Sequence, residues 1–374
     1  MEEGEGNISY YAKLEKRKGE ENMIFSLEND DGQIQEGTDN IKTATYEFFS
    51  DLYKKEPEVE HYQEEFLGKI DISLSTEDRE YLDKPITKAE IESSLKSIKK
   101  DKTPGPDGLT AEFLCFFWDE LGDFYIEVLN EIFQDGELAV SQQKGLIKIT
   151  YKKNGRQFLK NYRPITLLNT DLKLITKTLA KRLAKVLGNI IHENQKCVPG
   201  RNITENIHLT QDLIETILEE NSSAACIFLD QEKAFDRMSH NFLFKTLNKF
   251  GFGENFIKWI RIFYKNVTSK VKVNGYVTEE IEIQRGLRQG CPLSALLYVI
   301  CLEVLITNIR KNNMIKGFCL GNKEHKVSSY ADDMNVVVTT DQSIFELFDL
   351  INKYELATNS KINKDKTEGL WLGN

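Results

Sequence analysis

The chain has 374 residues, 40% hydrophobic and 29% charged, with a formal net charge of −10. That composition supports a sizeable core and two or three domains, and the absence of any run of about 18 apolar residues excludes a membrane-spanning helix. The acidity is uneven: residues 1–100 hold 25 Asp/Glu against 14 Lys/Arg, and the remainder 34 against 35. The bulk charge argues against a nucleic-acid partner, but the balanced remainder leaves room for a basic groove.

The first residues, MEEGEGNISYY, lack a basic and then apolar leader, which argues against secretion and for an intracellular protein, nuclear and cytoplasmic. Six cysteines without a CxxC pair read as reduced thiols, neither a disulfide frame nor a zinc site. LENDDGQIQEGTDN is turn-rich, and IKTATYEFFSDLYKK has helical apolar spacing. Ser75 or Thr76 offers a helix N-cap, and Thr87 with Glu90 predicts a capping box. DKTPGPDGLT is a rigid loop, and AEFLCFFWDELGDFYIEVLNEIF a long apolar helical stretch. GLIKITYKK alternates as a strand does, and DLKLITKTLAKRLAKVLGNII predicts an amphipathic helix with a basic face.

AACIFLD is a short apolar strand closed by Asp230, followed by helical stretches around 240–249 and 254–265. SKVKVNGYVTEEIEIQ predicts a hairpin about Asn274-Gly275. SALLYVICLEVLITNIRKN predicts a buried helix, SSYADDMNVVV a strand, turn and strand, and IFELFDLINKYELATNS a last amphipathic helix. Strands and helices mix without strict alternation, so the fold class is α+β with a mainly antiparallel sheet.

Asp332 and Asp333 stand side by side where one apolar strand hands over to the next, and Asp230 ends another. If those strands are neighbours, three carboxylates meet at one sheet edge. Such a cluster repels itself unless a divalent cation neutralises it, and hard oxygen ligands with open positions suit Mg²⁺. The plainer reading of each is a solvated turn or a strand-end cap.

With these residues in place, the stretches DKTPGPDGLTAEF, NYRPITLLNTDLKLITKTLAKRL, CVPGRNITENI, FLDQEKAFDRMSHNFLFKTLNKFGFG, VKVNG, RGLRQGCPLSALLY and YADD occur in the order found in LINE-type (non-LTR retrotransposon) reverse transcriptases. The chain resembles that family from about residue 95 to 370, and YYAKLEKRKGEENMIFSLENDDG is similar to its linker. The resemblance implies a right-hand polymerase: an acidic, partly helical extension over 1–90, fingers over 91–225, and a palm over 226–374 with helices flanking its sheet. It implies an RNA-directed DNA polymerase acting on an RNA template, a DNA primer and dNTPs, with two Mg²⁺ ions and no membrane.

Carried over residue by residue, Asp230 and Asp332 would ligate both ions, Asp333 would support them, and the Gln231 carbonyl would add a ligand. Phe235 would wall off the sugar 2′-OH, the one group separating deoxy- from ribonucleotides there; its plainer reading is core packing. Arg163 would clamp the triphosphate through a bidentate guanidinium. Gln289 and Gly290 would shape the floor under the nascent base pair, with Pro292 opening the next helix. Arg201 and Asn202 would touch the template, or Asn202 would simply cap a helix. Lys366 would protonate the leaving pyrophosphate, or be a surface lysine. Lys173, Lys177, Lys181, Arg182 and Lys185 would contact phosphates, or form a solvated face.

The departures are an unmatched endonuclease, a stop at TEGLWLGN short of the family's primer grip and thumb, and LIKITYKKNGRQFLKNYRPI without the usual proline before its basic pair. They imply a fragment, with an inactive relic that only binds RNA as the alternative. An intron-type maturase shares the palm, but KAFDRMSH and FGFG resemble the LINE class more.

Overall fold

The alternating and all-apolar runs pair into two sheets in the computed structural model, which describes residues 23–29 and 31–373. Residues 10–22 of the linker-like stretch, and Asp30, lie outside the described residues. A small hairpin, β1 (Ser26–Glu28) with β2 (Ile34–Glu36), comes first. The first large sheet joins β3 (Lys144–Tyr151), β4 (Tyr162–Leu167), β6 (Thr268–Val273), β7 (Tyr276–Val277) and β8 (Ile281–Glu282). Its pairs are antiparallel except β3 with β6, which run parallel across a long helical excursion. The expected turn between β6 and β7 forms with positive φ at both Asn274 (49°) and Gly275 (87°), the type I′ requirement. Asn274 does more than turn the chain: its amide exchanges two hydrogen bonds with the backbone of Ile24, at 2.9 and 2.7 Å.

The second sheet is antiparallel throughout, in the order β11 (Val327–Tyr330), β12 (Asp333–Val338), β5 (Ala224–Leu229), β13 (Glu368–Leu372). A short hairpin, β9 (Phe318–Leu320) with β10 (Lys323–His325), lies just ahead of β11 in the chain.

Helices cover these sheets. The first, α1 (Thr38–Tyr53), buries Ile41, Thr45, Phe49, Leu52 and Tyr53, one face of a 3.6-residue period. Phe49, Leu52 and Tyr53 pack on Ile147, Val271, Ile281 and Ile283 of the first sheet. Next, α2 (Glu60–Gly68) drives Phe66 against Tyr354, ring centroids 5.4 Å apart. The described part of the acidic extension is therefore built into the cores of the molecule. Ser75 caps α3 (Thr76–Asp83), and Thr87 and Glu90 form the expected capping box on α4 (Lys88–Lys96). The single long helix expected next is two, α5 (Ala111–Phe116) and α6 (Trp118–Asp135). At Phe117 the backbone leaves helical geometry (φ −97°, ψ 17°), which turns Trp118 into the core while Phe116 stays exposed.

One turn, α7 (Val140–Gln143), leads into β3, and α8 (Thr170–Val186) follows β4. Then come α9 (Ile203–Glu219), α10 (Ala234–Arg237), α11 (His240–Lys249), α12 (Glu254–Tyr264), α13 (Ser294–Lys311) and α14 (Asp341–Thr358). The main core forms where α8, α11, α12, α13 and α14 meet the inner face of the second sheet. As expected, α13 is buried, on every side from Leu297 to Ile309. Among the described residues no helix is long and apolar enough to cross a membrane.

The basic face expected on α8 is corrected by its packing. Arg182 is 3% exposed and grips Glu90 of α4 with two hydrogen bonds of 2.7 Å, while also donating to the carbonyls of Leu82, Lys84 and Pro85. Lys181 donates to the Ser93 carbonyl at 2.8 Å, Lys177 donates to the Ser97 carbonyl, and Lys185 lies over the Tyr81 ring. Lys173 is half-buried, and burial lowers its pKa. The spacing that made a basic stripe describes one helix packed on another, with its cations closing helix ends.

Burial works to raise the Glu90 pKa, yet Arg182 and Thr87 together hold it down to about 2. The pair's contribution is therefore complete above the ordinary glutamate value of about 4.3 and is lost as pH falls towards 2. Glu90→Gln strands the guanidinium and is expected to cost about 3 kcal/mol at neutral pH, the low end for a broken buried pair because Glu90 is itself partly exposed. Urea midpoints measured at pH 7 and pH 3 check this: the gap between wild type and variant narrows at pH 3.

Candidate active site

The end of β5 and the turn between β11 and β12 define the site. Met334 pairs with Leu229, the last residue of β5, so Asp333 at the start of β12 lies beside the strand end that Asp230 continues. The turn itself is Ala331-Asp332, closing Tyr330 onto Asp333. Ala331 has φ 51°, a region that favours glycine and strains an alanine.

A buried glutamine holds that turn. Gln195 is 0% exposed, and its side chain accepts from the Ala331 N–H (3.0 Å) and donates to the Ala331 carbonyl (3.3 Å). Around it, Lys196 N–H donates to Ser329 O and Ser329 N–H to Asn194 O. Asp332 leaves this clamp half-buried. Burial raises its pKa, and the nearby Asp333 and Asp230 carboxylates raise it further.

Asp230 faces an open cleft of about 920 Å³, with Asp332, Arg163, Gln231, Phe235, Gln289, Gly290 and Lys366 also in its walls. Two backbone links bring in the far segment: Asn363 N–H donates to Asp230 O at 2.8 Å, and Gln231 bridges to Ile362. They set the Lys366 ammonium 3.7 Å from the Asp230 carboxylate. The side chain of Gln231 is buried and accepts from the Tyr298 hydroxyl at 2.8 Å. The wall carried by β3, β4 and their connection brings Lys152, Lys160 and Arg163 opposite the carboxylates. Phe235 lines the cleft and stacks on Tyr298, ring centroids 4.8 Å apart.

The floor is tightly specified. Thr166 N–H donates to the Gln289 carbonyl at 2.6 Å. Gly290 has φ 122°, and a Cβ there would come within 2.3 Å of the Thr166 carbonyl oxygen, so no other residue fits. Pro292 lies just ahead of α13, whose Ser294 hydroxyl donates to Arg288 O at 2.9 Å. Beneath Gln289 sits Asp236, 1% exposed, accepting from Gln289 Nε2 (2.8 Å) and from the Tyr53 hydroxyl (3.0 Å). Burial pushes its pKa up to about 6 against the pull of Lys233. Lys233, donating to the Tyr162 carbonyl at 2.8 Å, is brought down to about 8 by burial.

Three of the carried-over residues do not line this cleft. Arg201 caps four carbonyls, those of Gly188, Ile191, His192 and Gln195. Asn202 accepts from Thr204 N–H at 3.1 Å and caps α9, its plainer reading. Asp333 is exposed and does not line the cleft, and among the described residues no three His, Cys, Asp or Glu side chains are drawn together closely enough to hold a metal ion. The carboxylates that share the cleft are Asp230 and Asp332. Gln195, Asp236 and Tyr53 escaped the sequence reading, because nothing in the local spelling marks a buried amide or acid whose partners lie far along the chain.

A profile of the family described as reverse transcriptase (RNA-dependent DNA polymerase) matches residues 151–372. Over 371 residues the chain is 36% identical to a "Transposon TX1 uncharacterized 149 kDa protein" of Xenopus laevis, covering 98% of this chain and 28% of that protein. It is 27% identical to the Pol polyprotein of a type-1 R2 retrotransposable element of Popillia japonica, covering 69% and 35%. It is 24% identical to the RNA-directed DNA polymerase of the mobile element jockey of Drosophila funebris, covering 78% and 32%. The chain thus spans about a third or less of the length of these curated relatives.

The raised pKa of Asp236 has a defined sign. Between the ordinary aspartate value of about 3.9 and the native value of about 6, the folded protein holds a proton that the unfolded chain has released. This group therefore costs stability progressively as pH rises through that window, by about 3 kcal/mol above it. Asp236→Asn, which carries no charge, is expected to gain on wild type as pH rises from 4 to 7, read from urea midpoints at the two ends.

Proposed function

This chain belongs to the reverse transcriptase (RNA-dependent DNA polymerase) family, of the non-LTR retrotransposon type, and on that premise we propose that it extends a primer 3′-OH with deoxynucleotides on an RNA template. In that reaction the primer 3′ oxygen attacks the α-phosphorus, a new phosphodiester bond forms, and the bond to pyrophosphate breaks. The observation that carries the reading is one cleft holding Asp230 and Asp332 from neighbouring strands together with Lys366, Arg163 and Gln289.

Burial and the neighbouring carboxylates make Asp332 costly to ionise, which is the chemistry of a site for hard cations. Asp230 and Asp332 would hold Mg²⁺, the Gln231 carbonyl would add a ligand, and substrate phosphates would complete the coordination. Bound Mg²⁺ supplies the charge that favours the attacking and leaving oxygens. Arg163, on the basic wall, grips the triphosphate as a planar fork. Lys366 protonates the departing pyrophosphate. Phe235 closes the floor beside the sugar, and its stacking on Tyr298 keeps the ring where a 2′-OH would collide. Gln289 and Gly290 carry the nascent pair. On this reading residues 91–225 would be the fingers and 226–374 the palm, with residues 1–90 as an extension.

Primer extension on an RNA template with Mg²⁺ tests this. Wild type is expected to incorporate dNTPs, and Asp332→Asn to lower kcat by roughly 10²-fold or more, the scale of losing a principal electrostatic group at the reacting centre. Equal incorporation by both removes the metal assignment. RNA binding without incorporation by wild type points to a binding protein.

A further inference from the structure

The buried acid under the cleft floor is not accounted for by metal binding or phosphate handling. Its two oxygens are divided between two donors that lie on either side of it in the sequence, 183 and 53 residues away. Oδ1 accepts from the Tyr53 hydroxyl at 3.0 Å, and Oδ2 from Gln289 Nε2 at 2.8 Å. The turn that carries it is pinned from the other side. Gly286 N–H donates to Met238 O, Leu287 N–H donates to Phe235 O, and a Cβ at Gly286 would press within 2.5 Å of the Asp236 carbonyl oxygen. Tyr53, the last residue of α1, is 5% exposed and cannot swing out. Its own carbonyl accepts from Gln284 N–H, and Arg285 donates to the Leu52 carbonyl at 2.8 Å.

This arrangement has a directional consequence. An ionised carboxylate only accepts hydrogen bonds, so Gln289 must turn its NH₂ down towards Asp236, which sends its carbonyl oxygen the other way, into the cleft that Gln289 lines. We propose that Tyr53 and Asp236 are positioning residues for nucleotide selection: they lock the Gln289 carboxamide so that it presents a hydrogen-bond acceptor to the incoming nucleotide. The proposal rests on the polymerase reading and extends the nucleotide site to a residue lying outside the 151–372 family match.

The test is steady-state primer extension by the full chain on an RNA template, with Asp332→Asn as the reference for the polymerase reading. Tyr53→Phe keeps the ring and removes only the donor. It is expected to raise the KM for dNTPs about three- to tenfold, the scale of one ordinary hydrogen bond, with kcat within about twofold. Asp236→Asn gives up the acceptor-only end and frees the amide to turn, so it also raises KM while unfolding at a higher urea midpoint at pH 7. A purely structural role predicts no such opposition between a more stable fold and weaker nucleotide binding.

In a Gln289→Ala background, Tyr53→Phe is expected to change KM no further. If wild type extends primers, Asp332→Asn does not, and both floor variants keep the wild-type KM, the inference falls and the polymerase reading stands. A KM change by Tyr53→Phe that persists undiminished without the Gln289 side chain also overturns the inference. If wild type extends nothing, both fall together.

Discussion

One pairing organises the molecule: β12 against β5, in a register that sets Met334 beside Leu229. A slip by one residue would turn every β12 side chain to the opposite face. Val336 and Val338, now in the main core, would exchange places with Asn335 and Val337, and the acid doublet would lose its place beside Asp230. The same register therefore fixes both the hydrophobic core and the chemistry. Burial of the valines enforces the meeting of carboxylates that would otherwise separate.

The second constraint is how much of the site's support arrives from the N-terminal segment. Glu56 pairs with Arg285 at 2.7 Å and with Arg237 at 3.7 Å, and Glu58 accepts from Asn241 and from Ser239. Gln63 donates to the Ala357 carbonyl at 2.8 Å. Arg285 is 1% exposed, so its charge depends on that glutamate and on backbone carbonyls for compensation. Acidic residues that the charge tally assigns to a solvated extension thus neutralise buried arginines of the segment that carries the cleft floor. The uneven charge along the sequence is partly an internal complement between two stretches of one fold.

Signals that act over a few residues were legible in the sequence: the Thr87–Glu90 box, the Ser75 cap, the Asn274-Gly275 turn, the alternation of β3 and the apolar β5. The candidate carboxylates were legible too, because acids closing apolar runs break the local pattern. What was not legible depends on partners far along the chain. Arg182 shares the spacing of its lysine neighbours, and only the arrival of Glu90, 92 residues earlier, makes it a buried ion pair. Tyr53 and Asp236 are 183 residues apart. Arg201 follows a glycine in a loop whose free carbonyls become visible only once the loop is folded. The α5–α6 break likewise has no proline or glycine to announce it.

Ala331 shows why the site needs its surroundings. By local preference its positive φ calls for glycine or asparagine, and an acid that follows directly, beside another acid, adds repulsion to strain. Neither term is relieved within the turn. Relief comes from Gln195, which mimics a strand by both donating to and accepting from the Ala331 backbone, and from the bridge of its own backbone to Ser329. Arg201 in turn caps the carbonyls that shape the loop bearing Gln195. A residue carried over as a template contact therefore acts on the turn that bears Asp332 at two removes. It stiffens the loop whose glutamine keeps a strained alanine in place, and so aims Asp332 at the cleft.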